Sequence, residues 1–245
     1  MALLEVCAGD IGSVKSASTG GAARVELCSA LEVGGITPSD GFITEALKVG
    51  DVKVHVLIRP RNGDFLYDDD EIECMARDVK IARELGAHGV VIGALTPDGN
   101  VDMEACKHIL RHADSMNVTF HRAFDLCRDP FKAIDEICSL GCNRILTSGQ
   151  APSAEAGVEL LSKLNDYANS RLKILAGGGI NPSNAAKIIQ ATGISEVHAS
   201  ARSKMPSKMQ YRRDGVAMGA PDSDEYSRAT TSAEIVKRIV ESITI

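Results

Sequence analysis

Short apolar runs recur along the chain at 2–7, 23–28, 53–58, 88–92, 117–121, 143–147, 171–176 and 195–199. Runs of that length bounded by loop residues predict strands. Helix-length segments separate most of them, at 69–85, 102–115, 130–140, 153–168 and 181–191, and a final helix is predicted at 232–242. Eight strand–helix units in 245 residues match a (β/α)8 TIM barrel, an α/β fold that right-handed parallel crossovers close naturally. The chain therefore reads as one domain over residues 1–245. An open doubly wound sheet is the competing architecture, but no G-x-G-x-x-G follows the first strand, as that fold's dinucleotide-binding form requires.

Two near-twin segments stand near the N-terminus, Leu4-Glu5-Val6-Cys7 and Val25-Glu26-Leu27-Cys28. Side chains two apart in a strand share a face. Glu5 is thus expected beside Cys7, and Glu26 beside Cys28, on an acidic, thiol-bearing face. The opposite face of each strand is apolar and suits helices packed behind it.

Composition changes this picture little. The chain is 44% hydrophobic and 24% charged, without tryptophan, which is enough apolar material for a substantial core. No membrane span and no secretory signal are recognisable, so the cytoplasm is the expected location, with the nucleus also compatible. A net charge of −6 argues against nucleic acid as a partner. Seven cysteines without a signal peptide predict reduced thiols rather than a disulfide framework. Cys74, Cys106, Cys127, Cys138 and Cys142 read as small buried hydrophobes in or beside helices. Cys7 and Cys28 end strands expected to be neighbours, and two converging soft thiolates suit Cu(I). Two packed core thiols are the alternative.

Barrels place working residues where strands end. There the chain offers Arg59 and Arg61, then His121, Arg122 and Asp125, then Ser148, then Gly177, Gly178 and Gly179, and finally His198 and Ser200. One reading makes Glu5, Glu26 and Arg59 a mutually neutralising cluster in the lumen, since an unpartnered buried carboxylate is costly. The other makes the mouth a ligand site. His108 and His112 read as a solvated helix face rather than a metal pair. The stretch 201–230 is a long loop between the last strand and the last helix, basic in its first half (Arg202, Lys204, Lys208, Arg212, Arg213) and acidic in its second (Asp222, Asp224, Glu225). It is expected to fold back on itself over the mouth, with Met205, Met209 and Met218 as hydrophobic anchors rather than thioether ligands.

These residues carry a resemblance. Leu4-Glu-Val-Cys7, Arg24-Val-Glu-Leu-Cys28, Gly34-Gly-Ile-Thr-Pro-Ser39, Ile58-Arg-Pro-Arg-Asn-Gly-Asp-Phe-Leu-Tyr67, Thr119-Phe-His-Arg-Ala-Phe-Asp125, Leu146-Thr-Ser-Gly149 and Ala176-Gly-Gly-Gly-Ile180 are similar, in order and spacing, to the CutC copper homeostasis family. Tyr211-Arg212 and Val216-Ala-Met-Gly219 resemble its eukaryotic branch. The resemblance implies a (β/α)8 barrel, a cytosolic homo-oligomer affecting copper handling, and Cu(I) bound through Cys7 and Cys28. The rival expectation is an enzyme. In it a small phosphorylated or carboxylated metabolite is held by Glu5, Arg59, Arg61, Arg122, Ser148, Gly177, Gly178, Gly179, His198 and Ser200, while His121, Glu26 and Asp125 perform acid–base chemistry.

Overall fold

The computed structural model describes residues 2–213, 215–216, 218 and 224–244. Eight parallel strands close into a barrel in sequence order: β1 (Leu3–Ala8), β2 (Arg24–Leu27), β3 (Lys53–Leu57), β4 (Gly89–Ile92), β5 (Asn117–Phe120), β6 (Arg144–Thr147), β7 (Lys173–Gly177) and β8 (Glu196–Ala199). Closure is made by β1, which pairs with β2 on one side and β8 on the other. A helix follows each strand: α1 (Ile11–Thr19), α2 (Asp40–Ala46), α3 (Asp69–Glu84), α4 (Met103–Leu110), α5 (Pro130–Ser139), α6 (Val158–Ala168), α7 (Ala185–Thr192) and α8 (Ala233–Ile243). The fold is the (β/α)8 barrel that the alternation predicts.

Local chemistry sets where the helices begin. Asp10, Ser39, Asp68, Asp102, Asp129 and Ser232 each accept a first-turn amide with the side chain. A free helical N–H is thereby satisfied at the point where a loop ends. At α3 the cap is reciprocal, because Glu71 returns a bond to the Asp68 amide. Pro130 opens α5, where its missing N–H costs nothing.

Alternation along the strands then sorts the side chains. Leu4, Val6, Val25 and Leu27 face outward into the main core between sheet and helices. Cys7, Cys28, Leu57 and Val91 form a separate apolar cluster on the inward-facing side. The expected opposition of an apolar face and a polar, thiol-bearing face therefore holds.

The stretch 201–230 departs from its reading as a loop. It contains β9 (Arg202–Pro206) and β10 (Ser227–Thr231), paired antiparallel with Arg202 opposite Thr231. The chain does fold back on itself, and Lys204 Nζ meets Asp224 Oδ2 at 3.0 Å, whereas Asp222 and Gly219 lie outside the described residues. The base of the hairpin rests on α1, where the Thr231 amide donates to Ser13 Oγ at 3.1 Å. Met205, Met209 and Met218 are exposed and anchor nothing, because a two-stranded hairpin has no second layer in which to bury them.

All seven cysteines are free, with Cys106, Cys127 and Cys142 buried as expected; Cys138 is half-buried and Cys74 exposed, against expectation. His108 lies on an exposed face, bonded to Glu73 and Arg111. Among the described residues no helix is long and apolar enough to cross a membrane.

Candidate functional site

Strand register builds a charged layer inside the barrel. Glu5 stands opposite Arg24 on one side and His198 on the other. Arg24 Nε donates to Glu5, and Arg24 Nη2 reaches Glu196 Oε2 at 2.6 Å. Glu196 also accepts from Arg144 Nε at 3.1 Å, while His198 Nδ1 lies 2.8 Å from Glu5 Oε1. All five side chains are buried or nearly so.

The partner of Glu5 is thus Arg24 and not Arg59, which corrects the expected Glu5–Glu26–Arg59 cluster. Arg59 lies two residues beyond the end of β3, past the charged layer. Its guanidinium donates to the carbonyls of Val33, Gly35 and Gly63 at 3.1, 2.9 and 2.7 Å. The i, i+2 alternation that flags Glu5 with Cys7 also sets Arg24 on the face of Glu26, and Glu196 on that of His198. That signal could have found both residues; Arg144 required the register.

Ionisation follows from this layer. Burial pushes Glu5 up, but Arg24, His198 and His55 together hold it well below the usual carboxylate range. Burial, aided by the Glu5 charge, raises Glu26 against the pull of His198. Burial opposes charge on His198, yet its contacts with Cys7, Glu5 and Glu26 keep it well above its ordinary value. His55 is pressed down to about 3, chiefly by burial.

Above the charged layer lie the thiols. Cys7 pairs in register with Glu26, and Cys28 follows β2, its Sγ 3.7 Å from the Glu26 carbonyl. The Cys28 thiol is raised well above its usual value by burial, then by Glu26 and Cys7. Among the described residues no group of three or more His, Cys, Asp or Glu side chains is arranged to hold a metal ion, so a tetrahedral, zinc-like site is not formed.

A cavity of about 310 Å3 opens at the C-terminal mouth. Its wall brings together Cys7, Glu26, Arg59, His121, Arg122, Gly178, Gly179, His198 and Ser200 from the sequence-derived set, and adds Phe65 and Arg202. Glu5, Cys28, Arg61, Asp125, Ser148 and Gly177 are not on that wall. Arg61 turns outward to Glu71 Oε1 at 2.5 Å and to Asp64, tying its loop to the cap of α3. Asp125 is occupied by loop hydrogen bonds from Thr147 Oγ1, the Ser148 and Gln150 amides and Arg122 Nε, at 2.5, 3.1, 3.1 and 2.7 Å. Ser148 Oγ belongs to the same network, donating to the Ala151 carbonyl at 2.6 Å. Gly177 packs so closely that a Cβ there would lie 2.5 Å from Leu146.

Comparison with known proteins agrees with this architecture. The model of the CutC family matches residues 2–203. A CutC family protein of Chromobacterium violaceum is 47% identical over 241 residues, covering 98% of each chain. One from Bacteroides thetaiotaomicron is 47% identical over 241 residues, covering 98% of this chain and 97% of its own. A crystal structure of the proposed copper homeostasis protein CutC from Streptococcus agalactiae superimposes with a TM-score of 0.78 at 36% identity, over 82% of this chain and 99% of that one. All three are bacterial, so the likeness of residues 211–219 to eukaryotic members draws no support from them.

Proposed function

This chain belongs to the CutC family, and from that membership we propose that it acts in cytoplasmic copper homeostasis by holding one Cu(I) ion between Cys7 and Cys28. The observation that carries the reading is the packing of both thiols into one buried cluster with Leu57 and Val91, with Cys7 also on the wall of the mouth cavity. Two soft sulfur donors suit a soft monovalent ion of low coordination number, and the neighbouring His198 and Glu26 complete no larger ligand set among the described residues. Harder divalent ions need more ligands than the described residues assemble here. Copper is then cargo, entering from the mouth past Cys7. Its binding displaces thiol protons, because thiolates are the ligands.

The test is competition against a Cu(I) chelator under anaerobic, reducing conditions. About one Cu(I) per chain is expected in the wild type, with severe loss in Cys7→Ser and in Cys28→Ser. Unchanged affinity in the double variant eliminates this site.

A further inference from the structure

His121 lies just beyond β5, buried at 4% exposure, on the wall of the mouth cavity. Its Nδ1 accepts the Ala123 amide at 3.2 Å, and a ring nitrogen that accepts carries no proton. Burial, then the nearby Arg59 charge, presses its pKa down to about 3, so the ring is neutral. The hydrogen of the neutral ring therefore sits on Nε2, and Nε2 has no partner within the described protein. A buried donor left without an acceptor forfeits its hydration with nothing in return, so the natural explanation is an acceptor that the protein does not supply.

A second observation points the same way. Arg59 is 6% exposed, and its terminal nitrogens are held by the three loop carbonyls described above. It has no carboxylate in ion-pair range among the described residues; its Nε lacks a well-formed hydrogen bond, and the Tyr67 hydroxyl lies beside the guanidinium. A buried cation balanced by neutral groups alone, carbonyl dipoles, a hydroxyl and an aromatic face, favours an anion close by. Phe65 braces both groups, its ring 4.8 Å from that of His121 and 5.1 Å from Arg59 Cζ. The same cavity is bordered by Gly178 and Gly179, consecutive residues at φ +96° and +82°. Successive backbone amides in such turns form anion-binding concavities. The Gly179 carbonyl is taken up by the Asn181 and Asn184 side chains, each at 3.0 Å.

We propose that this cavity binds a small organic oxyanion, a carboxylate or a phosphate monoester. One of its oxygens accepts the Nε2–H of His121 beside Arg59 after a small turn of the ring, since that atom is otherwise covered, and the rest of the molecule extends to the Gly178–Gly179 loop. His121 is then a fixed, neutral hydrogen-bond donor to the ligand rather than the proton-exchanging group that the sequence suggests. A cavity of about 310 Å3 is of the size that admits a small metabolite. The site does not depend on copper bound at the thiols.

Isothermal titration of the purified, metal-free protein with inorganic phosphate and, separately, with pyruvate tests it. Binding of phosphate alone assigns a phosphate ligand, binding of pyruvate alone a carboxylate, and binding of both the shared oxyanion chemistry. His121→Asn keeps an acceptor for the Ala123 amide but deletes the Nε2–H, and is expected to weaken the bound anion by about tenfold or more. His121→Gln returns a donor near the Nε2 position and is expected to recover part of that loss. Nitrogen-15 spectra of the wild type should show His121 as the neutral Nε2–H tautomer at pH 7. Cu(I) uptake by His121→Asn should be unchanged, which separates this site from the thiol pair. The proposal is overturned if neither anion binds with a Kd below about 10 mM, if His121→Asn binds the anion as well as wild type, or if that variant loses anion and Cu(I) binding together.

Discussion

Replacing Arg24 by Met probes the charged layer inside the barrel. Arg24 bridges Glu5 and Glu196, and both carboxylates are buried. Methionine retains much of the apolar stem, so the packing loss is small and the electrostatic loss dominates. Breaking a buried ion pair by removing one member costs about 3–5 kcal/mol. Here each stranded carboxylate keeps one cationic neighbour, His198 for Glu5 and Arg144 for Glu196, which places the expected loss near the lower end, about 3 kcal/mol. Urea unfolding followed by far-UV circular dichroism measures it, provided the m-value is unchanged. Adding Glu5→Gln should recover part of the loss, because the second substitution removes the stranded charge and neighbouring sites are not additive. The Glu5 carboxyl is depressed in the fold from 4.5, so its stabilising contribution is present above that pH and disappears as pH falls. The gap between wild type and Arg24→Met should accordingly narrow in acid. A loss below about 1 kcal/mol at pH 7 would mean that the layer is solvated and would refute the reasoning.

Stability should peak near pH 6.5. His55 and His121 remain neutral in the fold with values near 3, while the unfolded chain takes up protons below 6.5, so acid destabilises by as much as roughly 1.4 kcal/mol per pH unit for each ring. His198 is raised in the fold, and its contribution is full below 6.5 and lost as pH rises through the folded value. Melting temperatures at pH 5, 6.5 and 8 check both limbs, and a protein most stable at pH 5 contradicts them. Gly93→Ala should disturb His121 directly, because a Cβ there would lie 2.5 Å from its Nδ1 and Cε1. Overpacking of this kind costs about 1–3 kcal/mol, and thermal unfolding together with anion titration should show a lower melting temperature and weaker binding.

The strands were legible as short apolar runs bounded by loop residues, and in β1 and β2 alternation also marks one apolar and one chemically active face. Two helices were not. Within α1 only Ser13, Val14 and Ala17 are buried, and α2 is seven residues long, so neither carries a strong apolar stripe. The hairpin strands Arg-Ser-Lys-Met-Pro and Ser-Arg-Ala-Thr-Thr lack the apolar content that marks a strand. At the site, residues at strand ends could be read off, since alternation fixes which face they join. The partner of Glu5 depends on which strand lies beside β1 and in what register, and no local pattern encodes that. Beyond the strands, loop geometry decides. Arg59 and Arg61 are two residues apart, yet one borders the cavity and the other turns away to Glu71.

Closure of the eight strands has a further consequence for β9 and β10. A closed barrel leaves no strand edge unpaired, so among the described strands the exposed edges belong to this hairpin. Open edges invite another chain to add itself strand by strand. All five residues of β9 are exposed, and it presents Arg202, Lys204 and Pro206, while β10 presents Arg228. Lys204 and Arg228 are partly neutralised by Asp224 and Asp10, which leaves Arg202 as the main source of repulsion between two approaching copies, and proline withholds the N–H that a new ladder would need. Replacing Arg202 and Pro206 together by neutral strand formers is therefore expected to open a route to self-association through the backbone that the barrel itself does not offer.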